Sequence, residues 1–164
     1  MDQQPLQYLF HPSALGQLTL VSSPHGICGI YFHDQRSYTG TAGWHAARRH
    51  ALLEQAGAEL DEYFAGQRKT FTVPLDLALR GTAFQHDVWM ELLNIDYGST
   101  STYGRHAELL ARPRAMRAVG AAIGRNPISI MVPCHRVIGR DGSLTGYDGG
   151  LERKHYLLQL EGAL

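Results

Sequence analysis

Met131-Val132-Pro133-Cys134-His135-Arg136-Val137-Ile138 sets a thiol between a proline and a histidine, with apolar residues on both flanks. Such flanks predict a buried strand or tight turn that holds the sulfur in place, and Pro133 fixes one backbone angle on the approach. A cysteine is a strong nucleophile only as thiolate, a form that a neighbouring imidazole or cation favours. Taken alone, a Cys-His pair is more often a core cysteine beside a surface histidine, because a free cysteine packs as a small hydrophobe. The surrounding chain changes that balance.

Upstream lies a helix–turn–helix pattern. Ser101 or Thr102 can cap a short helix containing Ala107, Leu109 and Leu110, and Arg112-Pro113 breaks it. Pro113 suits the first turn of a second helix over residues 113–123, which Gly124 ends. That helix carries Ala115, Ala118, Gly120, Ala121 and Ala122. Small residues let a backbone approach a groove of DNA or, equally, pack closely against another helix. Residues 101–140 also hold seven arginines, no lysine and one acid, Glu108, a local charge of +6 in a chain of zero net charge. A basic segment on an otherwise acidic molecule is the footprint of phosphate binding. The plainer reading is a solvated surface, against which the exclusive use of arginine leans.

Downstream, Gly139-Arg140-Asp141-Gly142-Ser143 is a turn. Leu144-Thr145-Gly146-Tyr147-Asp148-Gly149-Gly150 is a glycine-rich loop, a weak phosphate signal by itself. Leu151 to Leu160 reads as a last helix, closed by Glu161-Gly162. On the other side, Thr82 can cap a helix from Ala83 to about Asn94, with Phe84, Val88, Trp89, Leu92 and Leu93 on its apolar face. Leu79-Arg80-Gly81-Thr82 divides the chain into domains at 1–79 and 80–164. The first reads as strands around Leu18–Val21 and Ile27–Phe32 joined by a Ser23–Gly26 turn. A loop over 34–45, a helix over Ala46–Ala65 and a strand at Phe71–Leu75 follow. It carries no chemical constellation. His25, Cys28 and His33 match no tetrahedral zinc spacing, so no metal is expected.

A chain of 164 residues, 44% hydrophobic and 18% charged, can bury a real core and has no apolar run of membrane-spanning length. Met1-Asp2-Gln3-Gln4 lacks the basic start of a secretory leader, so Cys28 and Cys134 are read as reduced thiols in a cytoplasmic protein.

Several separated motifs, in order, carry a resemblance. Pro133-Cys134-His135-Arg136-Val137 with Asn126-Pro127 ahead of it, Gly81-Thr82-Ala83-Phe84-Gln85 with Val88-Trp89, and Ser13-Ala14-Leu15-Gly16-Gln17-Leu18 resemble the O6-alkylguanine-DNA alkyltransferases, or methylated-DNA–protein-cysteine methyltransferases. The match runs from about Gly81 to Gly162 and more weakly into the N-terminal half. It implies an α/β two-domain protein, a ribonuclease-H-like strand and helix domain followed by a mainly α, winged helix–turn–helix-like domain. It further implies a monomer able to cluster on DNA, acting without cofactor on double-stranded DNA that contains alkylated bases.

By the same resemblance Cys134 is the alkyl acceptor, His135 takes its proton through a water, and Glu161 sets the imidazole tautomer. Arg117 replaces the flipped base in the stack, and Tyr103 reaches the base or its phosphate. Asn126 ties the turn before the active-site run. Arg136 joins the DNA contacts, the Val137 carbonyl accepts from the guanine amine, and Tyr147, Asp148 and Gly149 line the pocket. Ala14, Ala83 and Asp96 stand where the family often has proline, and Asp148 where it usually has a small residue. A carboxylate there either accepts a hydrogen bond or repels phosphate and narrows the pocket. The rival readings are a lesion-sensing DNA-binding protein without chemistry and a thiol hydrolase built on Cys134 and His135.

Overall fold

The computed structural model describes residues 4–164; Met1-Asp2-Gln3, most of the stretch read as lacking a leader, lie outside the described residues. Strands β1 (Gln7–His11), β2 (Leu18–Ser23) and β3 (Gly26–Phe32) form an antiparallel meander, and the short β4 (His45–Ala46) adds parallel to β1. The sheet order is β3-β2-β1-β4. The first turn is built by Ser13, whose Oγ donates to the Gly16 carbonyl at 2.6 Å and accepts from Leu15 N–H at 3.1 Å.

Helix α1 (Ala51–Phe64) crosses one face of the sheet. It begins five residues later than the apolar spacing predicts, because His45 and Ala46 are drawn into pairing with β1. His50 caps it, its Nδ1 accepting from Leu53 N–H at 3.3 Å. Gly57, which looked like a weakness in mid-helix, marks close approach: a Cβ there would sit 2.8 Å from the His11 ring. The strand expected at Phe71–Leu75 reduces to a single bridge. Ile27 N–H donates to the Pro74 carbonyl at 2.8 Å and Asp76 N–H to Ile27 at 2.7 Å. Pro74 has no N–H with which to extend a ladder.

The C-terminal half opens on α2 (Ala83–Leu92), started by a capping box. Thr82 Oγ1 accepts from Gln85 N–H at 3.1 Å, and Gln85 Oε1 accepts from Thr82 N–H at 2.9 Å. β5 (Ser101–Thr102) pairs in parallel with β6 (Val137–Ile138), a small wing the sequence did not announce. Thr102 caps α3 (Tyr103–Leu109), and α4 (Met116–Gly124) follows. The second helix therefore starts three residues after Pro113. Ala111 ends α3 with φ +56°, and Ala115 N–H donates to the Arg112 carbonyl at 2.9 Å. Pro113 is the second residue of that turn, where its fixed φ is favoured, rather than the opening of a helix. α5 (Leu151–Leu160) completes the chain.

One contiguous core joins the halves: Leu18, Leu20, Ile30 and Phe32 of the sheet, Leu53, Leu60 and Tyr63 of α1, Trp89 and Leu92 of α2, then Val132, Val137 and Leu157. A smaller cluster of Val21, Cys28 and Tyr31 lies on the other sheet face beneath Tyr8, Tyr38 and Trp44. The free edge of β3 receives the second half directly. Ile30 N–H donates to the Pro127 carbonyl at 3.0 Å and Ser129 N–H to Ile30 at 3.1 Å. No helix among the described residues is long and apolar enough to cross a membrane.

Candidate active site and nucleic-acid interface

Asn126 organises the loop that delivers the thiol. Its Nδ2 donates to the carbonyls of Val132 at 2.8 Å and Ile128 at 3.3 Å, and its Oδ1 accepts from Ile128 N–H at 3.0 Å. Within this loop Ile130 is buried at φ +73°. A β-branched residue in that region stores about 1–3 kcal/mol of strain, which only a tightly fastened surround sustains. Cys134, His135 and Arg136 then form one 3-10 turn, with Cys134 6% exposed and His135 fully buried.

The end of α5 meets this turn. Glu161 Oε2 accepts from His135 Nε2 at 2.7 Å, from the Tyr63 hydroxyl at 2.6 Å and from Arg136 Nη2 at 3.1 Å; Oε1 accepts from Arg136 Nε at 2.8 Å. Burial alone would raise the Glu161 pKa, but these donors pull it down to about 2. Burial lowers the pKa of His135 in spite of the carboxylate, so the imidazole is neutral with its proton on Nε2. Its Nδ1 lone pair is buried without a partner among the described residues and is free to accept a proton.

Around the sulfur, burial pushes the Cys134 thiol up to about 11, opposed by a hydrogen bond with Asn126 and by the charge of Lys154. Lys154 is fully buried; its Nζ donates to the Thr145 carbonyl at 2.9 Å and lies 6.0 Å from the Tyr103 ring centroid. Burial brings its own pKa down to about 8. Tyr103 Oη donates to Thr145 at 3.0 Å. Tyr147 rests edge-on against Phe32, its hydroxyl buried and without a partner among the described residues. Gly149 is packed so tightly that a Cβ would lie 2.7 Å from the Phe32 ring.

One sequence assignment changes, and one left open is decided. Arg136, grouped with the DNA contacts, is buried and committed to Glu161 and, at 2.5 Å, to the Ile95 carbonyl. It has no face left for phosphate and acts as the cation that keeps Glu161 ionised. The Asp148 carboxylate, left open between accepting a hydrogen bond and repelling phosphate, accepts from Ser37 N–H and Oγ in the N-terminal domain. Val137 is buried in the wing strand.

The outer surface is the other component. α4 turns Val119, Ala122 and Ile123 inward and leaves Arg117, Ala118, Ala121 and Gly124 exposed, so one helix both packs closely and presents a smooth cationic face. Arg114, Arg125 and Arg140 are exposed as well.

Sequence reasoning missed Tyr63 and Lys154. A signal for Lys154 existed: Lys154, Leu157, Leu158 and Glu161 fall on one helical stripe, so the two ionisable residues had to point inward with the leucines. Tyr63 looked like ordinary core. Tyr63→Phe is expected to cost about 2 kcal/mol, the worth of a hydrogen bond to a charged acceptor, and to slow alkyl transfer several-fold. Denaturant unfolding and single-turnover kinetics measure the two effects.

Comparison with known proteins gives the same picture. The family model for the 6-O-methylguanine DNA methyltransferase ribonuclease-like domain matches residues 6–77, and that for the DNA-binding domain matches residues 83–163. A methylated-DNA–protein-cysteine methyltransferase of Haemophilus influenzae is 42% identical over 95% of this chain and 86% of its own length. One from Methanosarcina acetivorans is 42% identical over 96% and 99%. The crystal structure of Mycobacterium tuberculosis O6-methylguanine methyltransferase superposes with a TM-score of 0.86 at 43% identity, covering 96% of this chain and 93% of that one. The structure of the M. tuberculosis OGT in complex with DNA gives 0.84 at 42% identity, covering 98% and 94%. With both family models matched in order along nearly its whole length, the chain belongs to the methylated-DNA–protein-cysteine methyltransferase family.

Proposed function

We propose that this protein repairs double-stranded DNA by moving the alkyl group of O6-alkylguanine onto Cys134. The observation that carries the reading is a buried thiol, next to a neutral histidine fixed by an ionised glutamate, in the same domain as an exposed helix face of arginine and small residues.

The alkylated oxygen lies within the base stack, where a sulfur cannot approach in line behind the alkyl carbon, so the nucleotide must rotate out. α4 supplies the approach to the minor groove, and Arg117 takes the place of the departed base. Tyr103 meets the base or its phosphate, the Val137 carbonyl accepts from the guanine amine, and Tyr147 and Gly149 wall the pocket.

In the chemical step the Cys134 Sγ–carbon bond forms as the carbon–O6 bond breaks. The thiol proton passes through water to His135 Nδ1, and the guanine, leaving with the bonding electron pair, takes up one proton at N1 from water as the imidazolium returns its own, so the net proton moves from sulfur to guanine. With the thiol held near 11 at rest, that transfer to His135 is required to make the nucleophile. The product thioether is inert, so each chain acts once. O4-alkylthymine offers the same alkoxy carbon and is the second base to assay. We place the division between the two domains at residues 79 and 80.

Mass spectrometry after exposure to excess O6-methylguanine duplex tests the reading. One methyl group per chain, on Cys134, is expected. Binding without an adduct would indicate a lesion sensor, and release of product beyond one equivalent would indicate a turning-over thiol enzyme.

A further inference from the structure

Among the described residues, the loop over 144–150 is held from two sides by different means. Its first limb is fastened within its own domain, where the Thr145 carbonyl accepts from Tyr103 and Lys154. Its second limb is fastened to the N-terminal domain at Asp148 and to α5 at Gly149, whose carbonyl accepts from Arg153 Nη1 at 3.0 Å. Asp148 Oδ2 accepts from Ser37 N–H at 3.2 Å and from Ser37 Oγ, and the Asp148 carbonyl accepts from Arg36 N–H at 3.4 Å. The post that receives it is rigid. Gln35 is 3% exposed; its Oε1 accepts from Phe32 N–H at 3.1 Å and from Ser129 Oγ at 3.3 Å, and its Nε2 donates to Ser37 Oγ at 3.2 Å. Ser37 is therefore tied through one buried amide to the same 126–134 loop that carries the thiol.

Cys134 is 6% exposed, and in the repair reading above Tyr147 and Gly149, on either side of Asp148, wall the pocket that leads to it. A base that enters this pocket therefore meets the limb on its way to the sulfur. We infer that the contact between Ser37 and Asp148 is a latch across the domain boundary that limits how large an O6-alkyl group reaches Cys134. The Asp148 charge works against thiolate formation, so its position serves the tether at some expense to the nucleophile. A methyl group needs a small displacement of Tyr147 and Asp148, whereas a benzyl group needs the limb to come away from Ser37. Ser37 is a positioning residue here, acting through Asp148.

The inference rests on the repair reading above, and two measurements keep the two separable. The first is the ratio of single-turnover rates on O6-benzylguanine and O6-methylguanine duplexes. Asp148→Ala is expected to raise the benzyl-to-methyl ratio about tenfold, the worth of one charge-assisted hydrogen bond. Ser37→Ala, which keeps the backbone donor, should give a smaller rise. Ser37→Thr and Asp148→Asn retain the hydroxyl and the acceptor oxygen and should keep the wild-type ratio. The second is amide hydrogen exchange of residues 144–150 in the free protein, which needs no alkyl transfer and should quicken in Ser37→Ala and Asp148→Ala. Unchanged ratio and unchanged exchange in these two variants would overturn the latch. A ratio for Asp148→Asn equal to that of Asp148→Ala would overturn it too, by assigning the effect to charge. A wild-type protein that accepts no alkyl group would instead overturn the repair reading, and exchange would still report on the tether.

Discussion

Replacing Glu161 with glutamine is expected to lower the rate of alkyl transfer about 10²- to 10⁴-fold, the range spanned by loss of a working general base. Four hydrogen bonds from Tyr63, His135 and Arg136 converge on this carboxylate. An amide offers one acceptor oxygen and turns its NH₂ toward groups that are themselves donors. His135 then loses the partner that keeps its proton on Nε2, and with it the free lone pair at Nδ1. Arg136 is left as a buried cation without its counter-ion, which costs about 3–5 kcal/mol of folding stability. The same substitution should flatten the acid limb of the stability curve. Glu161 titrates at about 2 in the folded protein against 4.5 ordinarily. Its contribution, about 3 kcal/mol, is therefore complete above pH 4.5 and is lost as pH falls from there toward 2. Urea unfolding at pH 7 and at pH 3 measures both effects; a glutamine variant with wild-type stability at pH 7 would dismiss Glu161 as the keystone of the turn.

Lys154→Met should separate stability from activity, making the protein firmer and slower together. The amine is fully buried, and burial has brought its pKa from 10.5 to about 8. A lysine depressed in this way binds fewer protons in the folded than in the unfolded chain between those values, so its contribution becomes less unfavourable as pH rises through that window. At pH 7 the charged form costs about 3 kcal/mol, partly offset by the Thr145 hydrogen bond and the Tyr103 ring. Methionine fills similar volume without charge. A net gain of about 1–2 kcal/mol follows, or a few degrees in Tm for a chain of this length. The cation also favours the Cys134 thiolate, so its removal should slow transfer about 10- to 100-fold near neutrality. The gap between wild type and variant narrows as pH rises through about 8, where Lys154 discharges. Calorimetry and single-turnover rates between pH 6.5 and 9.5 give the comparison, and a variant both less stable and equally fast would contradict it.

Local signals in the sequence carried much of this. Thr82 and Gln85 wrote a capping box that forms as spelled, and Thr102 caps α3. The apolar flanks of Cys134 left a buried strand or a tight turn open, and the turn is what forms. What sequence could not show was assembled over long chain separations. Tyr63 and Glu161 are 98 residues apart, and Ser37 and Asp148 are 111 apart. No periodicity or motif encodes such a meeting. Arg136 illustrates a different difficulty, since its charge was counted with the exposed arginines while its neighbour in space was Glu161. The stripe from Lys154 to Glu161 was readable, but only by trusting geometry over the habit of placing ionisable residues outside. Pro113 misled because the same fixed φ serves a turn and a helix start alike.

The outer margin of β3 is occupied near one end by Pro74–Asp76 and near the other by Pro127–Ser129, while the opposite margin of the sheet is the two-residue β4. Among the described residues, neither side offers a long row of unsatisfied amides on which a second molecule could template itself. Chains at high local density would thus be shielded from fusing through their sheets into ordered aggregates.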